Sequence, residues 1–88
     1  MPDDAARPPT ALRNLGPKSA RALTEVGVTS EADLRALGAV AAYRRVKHAD
    51  PRGTSLNMLY ALHGALTDTP WQALPEAEKA DLRRAAGV

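Results

Sequence analysis

The pair Gly16-Pro17 constrains the fold more than any other feature. It breaks an apolar-periodic run, Leu12 to Leu23, where a helix would otherwise continue. Proline lacks the backbone donor and its ring clashes with the preceding turn, so no regular helix passes through Pro17, although one can begin there. Gly16, free of a Cβ, is expected to take the left-handed turn at little cost. The pattern is then a short turn of helix that Thr10 caps and that runs through Asn14, a tight corner, and a helix from Pro17 to about Val26, with Ala20 facing back. The first N–H groups of that helix have no helical acceptor and lie at the positive end of its dipole, a place suited to an anion.

Similar punctuation organises the rest of the chain. Residues 1–9, with Asp3, Asp4, Pro2, Pro8 and Pro9, show no apolar period and are expected to be a disordered leader to a domain spanning 10–88. Gly27 stops the first helix. Ser30 with Asp33 three residues later is a capping-box-like start to a short helix ending at Gly38. A longer helix is expected over 39–49, followed by an Asp50-Pro51-Arg52-Gly53 turn. Ser55 is expected to cap the most apolar helix, whose Leu56, Met58, Leu59, Tyr60, Leu62, Ala65 and Leu66 occupy several faces and predict a central position. Trp71 sits in a short turn, expected to plug an end of the core. Pro75 opens a last helix with Glu76 and Glu78 early and Arg83 and Arg84 late, the order that suits the helix dipole. Strand-like alternation is absent, so the expected fold is an all-α, compact bundle of about five short helices of helix-hairpin-helix or SAM-like type.

Composition narrows function mainly by exclusion. The 88 residues contain no Cys and only His48 and His63, which removes disulfides, thiolate nucleophiles and Cys- or His-rich metal sites. No catalytic constellation is visible, and neither an enzyme nor a cofactor is expected. The longest uncharged run, Gly53 to Thr67, is 15 residues, short of the roughly 20 that cross a bilayer. No secretory signal is recognisable, and a cytoplasmic protein without a membrane partner is expected. Twelve basic and ten acidic side chains give a net charge of +2. From Ala11 to Arg52 there are eight Lys/Arg against four Asp/Glu, a local +4, and the remainder sums to −2. The charge is segregated, not large.

Leu12-Arg13-Asn14-Leu15-Gly16 aligns with Leu34-Arg35-Ala36-Leu37-Gly38 at a spacing of 22, and Ala20 then falls on Ala42. Two related hairpins are one explanation, and chance similarity in an Ala/Leu/Arg-rich chain is the other. The second copy has Ala39 and Val40 in place of Pro17 and Lys18, so any anion contact is expected to be weaker there.

Several further motifs occur in order: Leu15-Gly16-Pro17-Lys18-Ser19, Val26-Gly27-Val28, residues 33–39 (DLRALGA), Ala42-Tyr43, residues 55–62 (SLNMLYAL), Trp71 and Leu74-Pro75. Together they resemble the C-terminal domain of TfoX/Sxy-type regulators, over nearly everything after residue 10. The resemblance implies an all-helical, helix-hairpin-helix-like domain, a role in regulating natural competence, and action alongside the cyclic-AMP receptor protein at promoters. Members of that family usually carry an N-terminal domain ahead of this one, where this chain has its Pro-rich leader. The resemblance brings no catalytic residues.

Two functional readings remain from the residues. In the first, the domain is a regulatory module that binds duplex DNA without regard to sequence. Asn14, Gly16, Pro17, Lys18, Ser19 and Arg21 form its phosphate-contacting hairpin, and Arg44, Arg45, Lys47 and Arg52 a secondary basic patch. DNA-binding hairpins commonly have glycine at both sides of the apolar turn residue; here the first is Asn14, which tolerates left-handed geometry. In the second reading, the domain docks on a transcription regulator or self-associates, through the Arg44–Arg52 face or an exposed apolar groove. Ala39, Ala42, Tyr43 and Val46 lie opposite that face and should enter the core. His63 is expected to be half-buried with one ring nitrogen satisfied, and Trp71 and Tyr43 to belong to the core and not to base-stacking platforms.

Overall fold

The computed structural model describes residues 14–88, and every regular element within them is helical. The expected leader and the turn starting at Thr10 lie outside the described residues. In order come α1 (Pro17–Glu25), α2 (Glu31–Leu37), α3 (Ala39–Ala49), α4 (Leu56–Thr67), a single 3-10 turn (Trp71–Ala73) and α5 (Glu76–Ala86). The fold is an all-α bundle of five helices among the described residues.

Each boundary has a local cause. α1 starts at Pro17, whose fixed φ suits a first helical position, and ends where Gly27 takes φ +90°. At the start of α2 the Ser30 hydroxyl accepts the Asp33 N–H at 3.1 Å. The Asp33 carboxylate in turn accepts the Thr29 N–H at 3.1 Å and hydroxyl at 3.0 Å, one residue earlier than in a standard capping box. Gly38 then serves as C-cap of α2 and N-cap of α3. Its N–H donates to the Leu34 carbonyl, and its own carbonyl accepts the Ala42 N–H. Ser55 occupies the N-cap of α4, but its hydroxyl makes no capping bond. α5 carries its acids first and its arginines last, and ends at Gly87 with φ +80°.

The core confirms α4 as central. Leu59, Tyr60, Ala61, Leu62, Gly64 and Ala65 are buried, a nearly unbroken stretch that only a helix with neighbours on several sides can show. α3 lies against it and also touches α1, α2 and α5. The α3 residues expected inside, Ala39, Ala42, Tyr43 and Val46, are all buried. Without phenylalanine, the filling comes from Leu15, Leu23, Leu34, Leu59, Leu62, Leu74 and Leu82, with Val28 and Val46.

One conformational expectation is corrected. Gly16 is extended, with φ −93° and ψ −175°, and the left-handed residue of the corner is Asn14 at φ +72°. The reason is tertiary. The Asn14 amide nitrogen donates to the Thr69 carbonyl at 2.8 Å, and its oxygen accepts the Trp71 N–H at 3.3 Å. These two bonds tie the corner before α1 to the segment between α4 and the 3-10 turn. They also explain Gly64 inside α4, where a glycine is otherwise unfavourable. A Cβ there would lie 2.4 Å from the Thr69 carbonyl oxygen and 2.5 Å from the Asn14 amide nitrogen.

Candidate nucleic-acid interface

The amino end of α1 carries the candidate hairpin residues. Gly16, Pro17, Lys18 and Arg21 are exposed and Ser19 is half-buried. Gly16 offers no side chain to cap the helix, and no acid stands in the first turn. The first ladder bond in this region runs from the Ala20 N–H to the Gly16 carbonyl at 3.0 Å. The Lys18 and Ser19 N–H groups therefore precede the helical ladder, and Pro17 has none to offer. Lys18 and Arg21, three residues apart on one helical face, form no ion pair among the described residues. Asn14 belongs to the same corner, but its amide is engaged in the bonds to Thr69 and Trp71. It holds the corner in place and is not available to a ligand.

The secondary basic patch is distributed by its helix. Arg44 is exposed and stands beside a shallow groove of about 560 Å³ with Leu37, Val40, His63 and Leu82. Arg45 reaches the opposite way, donating to the Val26 carbonyl at 3.4 Å. Lys47 folds onto the following loop, its ammonium donating to the Pro51 carbonyl at 2.6 Å and the Thr54 carbonyl at 3.0 Å. Arg52 is exposed on that loop, whose turn closes through the Gly53 N–H on the Asp50 carboxylate at 3.0 Å. Helical periodicity puts Arg44, Arg45 and Lys47 in one arc, but backbone carbonyls draw Arg45 and Lys47, at its edges, aside.

Several other polar residues form structural pairs. The His63 Nε2 lies 3.6 Å from the Glu78 carboxylate, so the half-buried ring has a partner that the sequence alone did not indicate. Glu76 binds Arg83 at 2.8 Å, and this hydrogen bond and charge hold the Glu76 carboxyl below its ordinary range. Arg83 also donates to the Tyr60 hydroxyl at 2.8 Å, and Arg84 pairs with Asp81. The Lys79 ammonium lies over the rings of Tyr60 and Trp71, 5.3 and 5.8 Å from their centroids. Among the described residues, no group of three or more His, Cys, Asp or Glu is placed to hold a metal ion. No helix among them is long and apolar enough to cross a membrane.

Trp71 meets the core as expected but is less enclosed than the other aromatics, only partly buried where Tyr43 is 2% exposed. It lines a groove of about 340 Å³ between α1, the end of α3 and the start of α4. Nothing in the local pattern reveals that groove, because its walls come from four separated segments.

Comparison with known proteins agrees with this architecture. The family model of the TfoX C-terminal domain matches residues 9–86. The chain belongs to the TfoX C-terminal domain family. Two solved structures share the TfoX C-terminal domain's helical arrangement seen here. One is an uncharacterised protein from Listeria monocytogenes in a triclinic crystal form, 30% identical, with a TM-score of 0.78 over 84% of this chain and 83% of that one. The other is a protein of unknown function from Listeria monocytogenes in a tetragonal form, 28% identical, with a TM-score of 0.81 over 89% and 95% of the two chains. No curated protein matches the chain.

Proposed function

We propose that this TfoX C-terminal domain is a non-catalytic regulatory module that binds duplex DNA through phosphate contacts, independently of sequence. The observation that carries this reading is the amino end of α1. An exposed, acid-free helix start, without a side-chain cap, is flanked on one face by two cations that have no carboxylate partner among the described residues. Backbone N–H groups and lysine or arginine at such a place suit a phosphate oxygen. They carry no information about bases, so affinity should vary little with sequence and fall steeply with salt. α2 and α5 begin with acids that repel an anion, and α3 and α4, though acid-free and uncapped like α1, carry no lysine or arginine in their first turn.

The test is a titration with random duplex DNA at two salt concentrations. Lys18→Ala and Arg21→Ala should each weaken binding to every duplex alike and reduce the salt slope by roughly one unit. Absence of duplex binding even at low salt would refute the reading.

A second reading draws on the 560 Å³ groove beside Arg44. Leu37, Val40 and Leu82 give it an apolar floor and Arg44 a free cation, a combination suited to docking a protein partner or a second copy. In that case random DNA binds negligibly near physiological salt. Reversing Arg44, Arg45 and Lys47 to Glu should then abolish association with a transcription regulator, or self-association measured by sedimentation.

A further inference from the structure

The groove beside Trp71 has the composition of a ligand site. Ala22, Val46, Met58, Ala61 and Trp71 supply apolar lining, Lys18, Ser19, Ser55 and Asn57 supply polar groups, and the one acid, Asp50, has its carboxylate turned to the Gly53 N–H. At about 340 Å³ it lies within the usual range of small-molecule sites, roughly 300–1,000 Å³, which are largely apolar with a few placed polar groups. Its walls are fixed. The loop from Asp50 to Thr54 is held by Lys47, by the Asp50–Gly53 bond and by the Thr54 hydroxyl on the Val46 carbonyl. The Trp71 main chain is held by its backbone N–H, which donates to the Asn14 side-chain oxygen.

Two features select the chemistry of the occupant. Trp71 is the only tryptophan of the chain, and the other two aromatics, Tyr43 and Tyr60, are buried. The groove therefore offers an indole, a surface that suits a flat aromatic ring, at the one aromatic position open to a ligand. Lys18, already assigned to a phosphate, lines the same groove, so an anion bound to it lies beside whatever meets the indole. A flat ring joined to an anion is the chemistry of a nucleotide. Inside a continuous duplex the bases are stacked and cannot enter such a groove, whereas an unpaired base can.

We propose that this groove receives an unpaired nucleobase of a bound strand, laid against Trp71, while Lys18 holds the adjoining phosphate. The domain then prefers DNA ends and single-stranded segments over continuous duplex. The proposal rests on the phosphate reading above and deepens it. Ser55 and Asn57, whose side chains make no capping or tertiary hydrogen bond among the described residues, face the edge of the base. They can serve any base, so the preference is for unpairing and not for sequence.

The experiment compares a blunt duplex with the same duplex bearing a short single-stranded thymidine overhang, both labelled for anisotropy. Trp71 emission is followed in parallel as the only tryptophan signal. The overhang should bind about tenfold more tightly than the blunt duplex, consistent with one base packed on an aromatic side chain. It should quench Trp71 where the blunt duplex does not. Ala22→Leu fills the groove from α1, and Asn57→Phe covers it from an exposed position. Each variant should keep blunt-duplex affinity and lose both the preference and the quench. Ala22→Leu is read only if its helical circular dichroism melts cooperatively, and Asn57→Phe carries the test if it does not.

Equal binding of the two DNAs without a differential quench overturns the groove assignment and leaves the phosphate reading standing. A preference that persists in both filled variants also overturns it. Absence of binding to either DNA at low salt overturns both readings together. Thymidine monophosphate that quenches Trp71 as strongly at equal nucleotide concentration assigns the groove to a free nucleotide and overturns the strand.

Discussion

The corners before α1 and α3 share the pattern x-Leu-Gly, but they solve the turn differently. Before α3, Gly38 is the whole junction, with φ +88° and ψ 159°, a region open essentially to glycine alone. The following Ala39 is buried at once. Before α1, the left-handed residue lies two positions earlier at Asn14, and Gly16 is ordinary extended backbone. That shift lets the Asn14 amide bind the Thr69 and Trp71 backbone groups, and it leaves Gly16, Pro17 and Lys18 exposed. A junction made by one glycine packs its helix start inward. A junction anchored by a side chain can hold its helix start out in solvent, where a ligand can reach it.

The largest effect that tests this comparison is at the paired leucines. Leu15 is 5% exposed and Leu37 only partly buried, so Leu15→Ala should cost about 2–5 kcal/mol and Leu37→Ala roughly half as much. A larger loss at Leu37, measured by denaturant unfolding, would reverse the roles assigned to the two corners.

The glycines come next. A Cβ at either Gly16 or Gly38 meets nothing within 4 Å, so backbone conformation alone separates them. Gly38→Ala should destabilise by about 1–3 kcal/mol. Gly16→Ala should be neutral, or stabilising by up to roughly 1 kcal/mol through the unfolded chain. Comparable losses at both would mean that Gly16 depends on glycine after all.

Asn14 separates conformation from bonding. Asn14→Gly keeps the left-handed backbone and removes two hydrogen bonds, a loss of about 1–3 kcal/mol. Asn14→Ala should cost roughly 1 kcal/mol more, for the strained φ. If the two variants melt together, the amide bonds carry the corner and its φ does not matter.

The smallest effect contrasts the acid-bearing start of α2 with the acid-free start of α1. The backbone N–H and hydroxyl of Thr29 hold the Asp33 carboxyl below its ordinary value of 3.8. A lowered folded-state pKa contributes stability that is complete above the unfolded value and is lost as pH falls through the folded one. Melting temperature should therefore decline below about pH 4, and Asp33→Asn should flatten part of that decline. An unchanged acid limb in the variant would show that Asp33 does not hold the start of α2.

Helix existence and polarity were determined by the sequence alone, because caps, breakers and apolar periods are local signals. Pro17, Ser30, Gly38 and Gly87 mark boundaries within a residue of their observed places, and the buried face of α3 follows from its spacing. The family, too, was legible in motifs spread along the chain. The conformation of Gly16 was not, because glycine permits either sign of φ and the choice depends on a bond between residues 14 and 69, 55 positions apart. The fate of Arg45 was equally tertiary, since the Val26 carbonyl that draws it in lies 19 positions away, whereas Lys47 is drawn to the loop that follows its own helix. The groove beside Trp71 exists only where α1, α3, α4 and the 3-10 turn meet. Local sequence decides which residues can start, stop or face inward; the packing of distant segments decides which groups remain exposed to bind.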